Sequence, residues 1–258
     1  MSTARVYSSI ITIIFSLYSI TSQANVDLYE PYRDSMINFK QSYAEKVNYS
    51  INQIDLEQMG NVINRLAETK GKKGHIWTAG NGGSGTTASH LAHNLTWDAT
   101  RDYPEEKTIG ATCLNEMHAE ITARGNDTHY SYAFATLLKD KGRPNDVFIG
   151  VSGSGKSDNI LKAFIQAKNS KITSIAIAKK GSPAIRYADF AIEIDSDDQQ
   201  VLEDTGHIIM HMLVRSLHVI LGEKDGSELN TEIACLKSKT QRNQELADVM
   251  GMPTKSFN

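Results

Sequence analysis

The spacing of hydrophobic residues changes along the chain. In the first patterned region it is the spacing of amphipathic helices. Residues 28–70 carry apolar side chains at helical spacing. Asp55 lies within this region and is of the residue type that caps a helix N-terminus. The apolar positions after it share one predicted helix face: Leu56, Met59, Val62, Ile63 and Leu66. The pattern therefore predicts a helical N-terminal region.

Short apolar runs then alternate with helical patterns. The runs that predict strands are HIWTAG (75–80), TIGATCL (108–114), DVFIGVS (146–152), TSIAIAK (173–179) and FAIEID (190–195). A helical pattern follows each of them, and the longest covers residues 201–222. Strands joined by helices form parallel sheets. The sequence therefore predicts an α/β fold with a doubly wound, mostly parallel sheet flanked by helices, and with an N-terminal helical extension.

Both ends of the chain differ from this pattern. Arg5, the apolar run 10–20 and the small residues before Ala24 together have the features of a secretory signal. A hydrophobic extension of the domain or a misplaced start would give the same letters, and the run is short for a membrane helix. The predicted organisation has three parts: a signal-like or extension segment (1–27), a domain with N-terminal helices (28–222), and a polar tail (223–258) that is a candidate for one more helix.

Composition narrows the functions that the chain can have. The 258 residues carry a net charge of -3, which argues against nucleic-acid binding by bulk charge. The length suits one α/β domain with a sizeable core. Cys113 and Cys235 lie far apart and have no metal-type spacing. We therefore expect ordinary thiols in a reducing compartment rather than a disulfide framework.

Two glycine-rich loops follow predicted strands and precede predicted helices. They are AGNGGSG (79–85) and GVSGSGKS (150–157). In an open α/β sheet such loops place free backbone N–H groups at helix N-termini, where anions bind. Ser152, Ser154 and Ser157 add hydroxyl donors to the second loop. The pattern predicts a phosphate site, and the alternative is a pair of tight turns with serine caps.

The second loop also fits the letters of a nucleotide-binding P-loop. Gly150, Gly155, Lys156 and Ser157 have the required spacing. However, Gly150 lies inside the predicted strand rather than after it, and this is not the first strand–helix unit of the domain. We therefore expect no nucleotide cofactor.

At this point the chain resembles a known family. Five motifs occur in the order found in SIS-domain (sugar isomerase) proteins: GNGGS, ASHLAHNL, LNEMHAEITARGND, RPNDVFIGVSGSGKSDNILKAF and LEDTGHIIMHML. Over residues 40–221 the chain is most similar to the phosphoheptose isomerase branch, which acts on sedoheptulose 7-phosphate. The resemblance implies the five-stranded SIS fold, a sugar phosphate as ligand, and a homotetramer with active sites at subunit contacts.

The resemblance also assigns residues to the ligand. It implies that the serine-rich loop grips the phosphate through Ser152, Ser154 and Ser157. Other ligand-contacting positions that it implies are Asn81, Gly82 and Gly83 of the first loop, and Asn126 and Asp127 of the GND triplet.

Acid–base candidates lie on two predicted helices. Aldose–ketose isomerisation moves a proton between neighbouring carbons and needs a base and an acid. Glu203, His207 and His211 are spaced to share one helix face, and His90 and Asn94 form a second pair four residues apart. The predicted catalytic residues are Glu203, His211 and His90. The same three are candidate ligands for a metal such as Zn²⁺, which polarises a carbonyl, whereas His207, among apolar neighbours, is more typical of a structural histidine.

The chain departs from the family pattern at two of these positions. The isomerases have a glutamate four residues after the histidine at His90, and a glutamine at position 203. Here Asn94 and Glu203 stand in their places. An amide cannot take a proton, so Asn94 is predicted as a substrate contact, and catalysis falls to Glu203 or His211.

Three functions fit these observations. The first is an aldose–ketose isomerase that converts sedoheptulose 7-phosphate to a heptose 7-phosphate. The second, which Asn94 favours, is a non-catalytic SIS module that binds a phosphosugar or a protein such as a replication initiator. The third is another SIS chemistry, such as epimerisation or amino-sugar phosphate handling. Because phosphosugars occur in the cytosol, we expect a cytoplasmic protein without membrane or nucleic-acid partners.

Overall fold

The structure, a computed structural model, describes residues 29–100 and 109–222. The chain divides into two compact units, the first ending at Glu45 and the second starting at Lys46. The predicted signal-like segment and the polar tail lie outside the described residues.

The N-terminal region is helical, as predicted. A short 3₁₀ turn (Glu30–Tyr32) leads into α1 (Arg33–Asn52), and α2 covers Leu56–Gly71. Asp55 is the N-cap of α2, because its carboxylate accepts hydrogen bonds from the backbone N–H groups of the two residues at the start of the first turn, at 2.8 and 3.2 Å. Four of the five predicted apolar positions are buried: Met59, Val62, Ile63 and Leu66. Leu56 begins the same helix, but its side chain is 74% exposed.

Five parallel strands form one sheet in the order β2-β1-β3-β4-β5. Their bounds are β1 His75–Ala79, β2 Gly110–Cys113, β3 Val147–Ser152, β4 Thr173–Lys179 and β5 Phe190–Ile194. The prediction of a mostly parallel, doubly wound sheet is confirmed, and among the described strands every pairing is parallel.

Helices cover both faces of this sheet. They are α3 Gly82–Thr96, α4 His118–Asp127, α5 Ala133–Lys141, α6 Asp158–Asn169, α7 Pro183–Tyr187 and α8 Gln199–Leu221, with 3₁₀ turns at Leu114–Glu116 and Tyr130–Tyr132. Neighbouring strand residues pack into different cores: Ile76 and Ile149 face α2, α3 and α8, whereas Phe148 faces α5 and α6. Within residues 29–100 and 109–222, every helix is too short or too polar to cross a membrane.

A buried carboxylate holds the amino-terminal edge of the sheet together. Asp146 directly precedes β3 and is 5% exposed. It accepts hydrogen bonds from the backbone N–H of His75 at 2.8 Å, from the indole N–H of Trp77 at 2.9 Å and from the backbone N–H of Arg143 at 2.9 Å. Burial lowers the pKa of His75, and the charge of Asp146 opposes this effect in part.

The strand order places the ligand-binding edge. The chain moves from β1 outward to β2, then returns to β3 on the other side of β1 and continues to β4 and β5. Ligands of such sheets bind at the carboxyl ends of the strands where the order reverses, here between β1 and β3. The two glycine-rich loops leave the sheet from these two strands, so the fold brings both predicted loops to one point.

Candidate active site

The first glycine-rich loop is held tightly between β1 and α3. The side chain of Asn115 accepts from the backbone N–H of Gly80 at 3.1 Å and donates to its carbonyl oxygen at 2.8 Å. A Cβ atom on Gly80 would overlap the backbone of Ser84. Gly82 has φ +51°, a left-handed conformation that favours glycine. These constraints present the N-terminus of α3 at the carboxyl edge of the sheet.

The side chain of Asn81 joins the two loops. Asn81 and Asn159, near the start of α6, exchange two amide hydrogen bonds of 2.9 and 2.8 Å. The hydroxyl of Tyr130 also donates to Asn81 Oδ1, at 3.0 Å. Asn159 and Tyr130 were not singled out from the sequence. Asn159 lies two residues after the serine-rich loop, inside one of the quoted motifs, and offered a weak signal, whereas Tyr130 offered none.

The second loop folds around its own serine hydroxyls. Ser152 ends β3, and its Oγ accepts from the backbone N–H of Gly155 at 3.1 Å. Ser154 is exposed, and its Oγ accepts from the backbone N–H of Lys156 at 3.3 Å. Ser157 is the N-cap residue of α6. The three predicted phosphate contacts therefore line one turn at a helix N-terminus, where an anion is favoured.

A direct contact fixes the second loop against the first. Ser84 Oγ, in the first turn of α3, accepts from the backbone N–H of Gly153 at 3.3 Å. Gly155 has φ +62°, and a Cβ there would overlap the side chain of Ser182. The two loops are thus joined to each other rather than being two independent turns.

Three histidines meet where α3 crosses α8. His90, His207 and His211 each offer a ring nitrogen, and these atoms lie within 4.8 Å of one another. His90 Nδ1 and His207 Nε2 are 3.1 Å apart. Two nitrogens bound to one zinc at the usual Zn–N distance of about 2.0–2.1 Å are roughly 3.3 Å apart in tetrahedral geometry, so the spacing fits such an ion.

The surroundings of His207 and His211 favour the metal-binding form of these two imidazoles. Burial lowers the pKa of His207 and of His211, and the neighbouring histidines lower both further. A neutral imidazole is the form that binds a metal. The other ring nitrogen of His207 lies 3.3 Å from the hydroxyl of buried Thr87, a contact that orients the ring. His207, for which the sequence favoured a structural role, therefore belongs to the cluster, and its position on the face of His211 was the available signal.

Glu203 lies at the loops rather than among the three histidines. Its carboxylate is half-buried and rests on Gly83 so closely that a Cβ atom there would overlap it. Gln199 Nε2 donates to Glu203 Oε1 at 2.9 Å. The carboxylate consequently faces the N-terminal end of α3, whose partial positive charge favours an anion.

The remaining predicted residues occupy two different environments. Asn94 is 3% exposed, and its amide lies 3.6 Å from the sulfur of Met210, inside the packing of α3 against α8. Asn126 and Asp127 end α4, are exposed, and share a hydrogen bond of 3.0 Å. Tyr130 follows them and reaches Asn81, so their segment connects to the first loop. Substrate contacts by Asn94, Asn126 and Asp127 stay predictions.

Sequence comparison identifies relatives of this chain. The SIS domain model matches residues 42–179. A phosphoheptose isomerase from Thermodesulfovibrio yellowstonii is 36% identical over 159 residues, which are 61% of this chain and 78% of that protein. A phosphoheptose isomerase from Helicobacter pylori is 34% identical over 158 residues, 61% of this chain and 81% of that protein.

Solved structures share the fold. The phosphoheptose isomerase of Francisella tularensis superposes with a TM-score of 0.66 at 23% identity, over 72% of this chain and 97% of that chain. The phosphoheptose isomerase of Neisseria gonorrhoeae gives 0.64 at 21% identity, over 70% and 97%. At these identities the likeness shows a common architecture.

Proposed function

Because the chain belongs to the SIS-domain family, in its phosphoheptose isomerase branch, we propose that it is an aldose–ketose isomerase of a phosphorylated sugar. The proposed reaction converts sedoheptulose 7-phosphate to a heptose 7-phosphate. The observation that carries the proposal is a half-buried carboxylate, Glu203, placed between two glycine-rich loops at the switch point of the sheet. This edge of the sheet thus combines a candidate anion site with a candidate proton acceptor.

In this proposal the second loop binds the phosphate. Ser152, Ser154 and Ser157 supply hydroxyl groups, and the N-terminus of α6 supplies backbone N–H groups. The first loop, through Asn81, Gly82 and Gly83, contacts the sugar, together with Asn126 and Asp127. Donors fixed before the ligand arrives bind it at a smaller entropic cost.

Glu203 carries the proton in the proposed mechanism. Its carboxylate takes a proton from C1 of the ketose, the C–H electron pair forms the C1–C2 double bond of an enediol, and the carbonyl oxygen at C2 gains a proton. The carboxylic acid then returns its proton to C2 while the oxygen at C1 loses its own and becomes the aldehyde. Where no metal is bound, His90 and His211 exchange protons with the two oxygens. The buried amide of Asn94 takes no part in proton transfer.

The proposal includes a divalent metal, with Zn²⁺ first, held by His90, His207 and His211. Three imidazoles with a fourth position open are a donor set of catalytic zinc sites, and the nitrogen spacing and lowered pKa values favour it. When bound, such an ion polarises the sugar carbonyl. Placing His207 in the ligand set, where the sequence suggested Glu203, leaves the carboxylate available for the proton.

Assembly and location complete the proposal: a homotetramer with its sites at subunit contacts, working in the cytoplasm, where phosphosugars occur. Large apolar side chains on α1 support an interface, since Met36 is 50% and Phe39 63% exposed in the single chain. Exposed apolar residues of this size, repeated along one element, are typical of surfaces that pack against another chain.

Turnover of sedoheptulose 7-phosphate by the pure protein, with and without Zn²⁺ and followed by NMR of the sugar, tests the function. We expect a new aldose phosphate signal, and a fall in kcat of about 10²–10⁴-fold for Glu203→Gln, the usual contribution of a general base. Glu57→Gln, an exposed carboxylate on α2, is the matched control and should keep full activity. If the sugar phosphate changes the NMR spectrum of the protein but is not turned over, the chain is a sugar-binding module rather than an enzyme.

A further inference from the structure

The first residue of α8, Gln199, touches the proposed proton carrier and the phosphate loop together. Its Nε2 donates to Glu203 Oε1 at 2.9 Å, one helical turn away. We propose that Gln199 is a positioning residue that holds the carboxylate of Glu203 in place for proton transfer. This inference rests on the proposed isomerase function and adds a residue to it.

Gln199 and Glu203 together bridge the two glycine-rich loops. The amide of Gln199 lies so near Gly153 that a Cβ atom on that glycine would contact it at 2.5 Å. The carboxylate of Glu203 lies equally close to Gly83. In this arrangement the side chains of Gln199 and Glu203 occupy the space that a Cβ atom on either glycine would enter.

The bridge assigns different tasks to the two carboxylate oxygens. Oε1 accepts from Gln199, whereas Oε2 is the atom nearest the Cβ position of Gly83 in the sugar-contacting loop. A glutamate side chain has several rotatable bonds, and a donor on one oxygen fixes the direction of the other. A neutral amide does this without adding a titratable group or a second charge to the site.

The first turn of α8 is itself anchored, so Gln199 starts from a fixed position. Asp198, the N-cap, accepts from the backbone N–H groups of Gln200 at 3.2 Å and of Val201 at 3.5 Å. Its carboxylate also pairs with Lys46 at 3.1 Å, and this hydrogen bond lowers the pKa of Asp198. The backbone from which the exposed side chain of Gln199 extends is therefore set by the fold before any ligand binds.

Gln199→Leu tests the assignment, because leucine keeps the volume and removes the donor. We expect kcat for the sugar phosphate to fall ~10-fold to 100-fold, the range that misplacement of a catalytic group produces, with KM nearly unchanged because the phosphate is bound by other groups. In a Glu203→Gln background the same change should cause no further loss, since its effect acts through the carboxylate. An additive loss, or a rise in KM alone, would overturn the proposal.

The matched control is Gln166→Leu. Gln166 lies on α6 and donates to Ser170 Oγ at 2.8 Å, also one turn away, so it reports the cost of losing such a contact elsewhere. We expect unchanged kcat and KM for this variant.

A second readout is independent of turnover. The side-chain carboxyl ¹³C resonance of Glu203, identified by its loss in Glu203→Gln, should shift in Gln199→Leu and stay in place in Gln166→Leu. An unchanged resonance in Gln199→Leu would overturn the positioning role even in an active enzyme. If the resonance shifts but the wild-type protein turns over no sugar phosphate, the contact between Gln199 and Glu203 is supported. The isomerase function is then refuted.

Discussion

His207 changes what the residues around it can do. Alone on an apolar helix it would be a packing residue, but α8 brings it within 3.1 Å of His90 and one turn from His211. Thr87 holds its second ring nitrogen. In the proposed metal site, His207 is the third nitrogen ligand. The amide of Asn94 cannot take that place, because it is buried in the packing of α3 against α8.

Replacing His207 by alanine should therefore weaken metal binding. We expect His207→Ala to lose at least ~10-fold in Zn²⁺ affinity, since even the loss of an outer partner of a ligand costs about 10–100-fold. Zinc content after dialysis and the absorption spectrum of the Co²⁺-substituted protein measure this. His93→Ala, an exposed histidine on α3, should bind as the wild type does. Equal zinc content in both variants would contradict the three-histidine site.

Sequence spacing singles out candidate residues where one helix or one motif contains them. Glu203 and His211 were chosen from their spacing on α8, and the three serines of one loop were predicted as phosphate contacts. Asn159 and Tyr130 could not be found in this way, because each reaches Asn81 across 78 and 49 residues of chain. Contacts of this range depend on strand order, which residue spacing does not encode.

At the scale of elements, a single capping residue fixes where α2 begins. Asp55→Ala removes the acceptor for two backbone N–H groups at the start of α2. We expect the free energy of unfolding to fall by about 1 kcal/mol, the typical cost of losing an N-cap. Urea denaturation measures the change. Asp55→Asn keeps a capping oxygen and should stay close to the wild type, so equal losses in both variants would argue against the cap.

Strand positions followed from the apolar runs, and the run 173–179 matches β4 at both ends, but the other four strands are shorter than predicted. The predicted strand 146–152 begins at Val147, because Asp146 turns its carboxylate to the N–H groups of neighbouring segments. The predicted strand 75–80 ends at Ala79, because the side chain of Asn115 takes the hydrogen bonds of Gly80. Side-chain hydrogen bonds to other segments accompany both of these ends, and a local apolar pattern does not encode such contacts.

At the scale of the whole molecule, histidines of the folded chain bind protons more weakly than the same histidines in the unfolded chain. The fold lowers the pKa of His75, His207 and His211, in each case mainly through burial. Unfolded histidines titrate near pH 6.5. Below that pH the unfolded chain therefore binds more protons than the fold, and stability must fall as the pH falls.

Urea unfolding of the metal-free protein at pH 7.5 and 5.5 tests this balance. We expect a lower midpoint at pH 5.5, with the slope of the denaturant dependence unchanged. His75→Gln, which removes one of the shifted groups, should reduce the difference between the two midpoints. Equal midpoints for the wild type at both pH values would contradict the prediction.

The overall architecture was predictable to the level of fold class. Alternation of apolar runs and helical patterns gave a parallel sheet, and the ordered motifs gave the family. The pairing of β3 with β1 brings the two glycine-rich loops together, and only the three-dimensional structure shows this pairing.

The buried carboxylate of Asp146 has an evolutionary consequence. It secures the amino-terminal edge of β1 and β3, whereas both glycine-rich loops leave these strands at the opposite edge. Mutations that adapt the loops to another sugar phosphate can therefore accumulate while the hydrogen bonds of Asp146 at the opposite edge preserve the sheet. For protein engineering, the same separation means that changes of substrate selectivity at the loops leave the stabilising contacts of Asp146 intact.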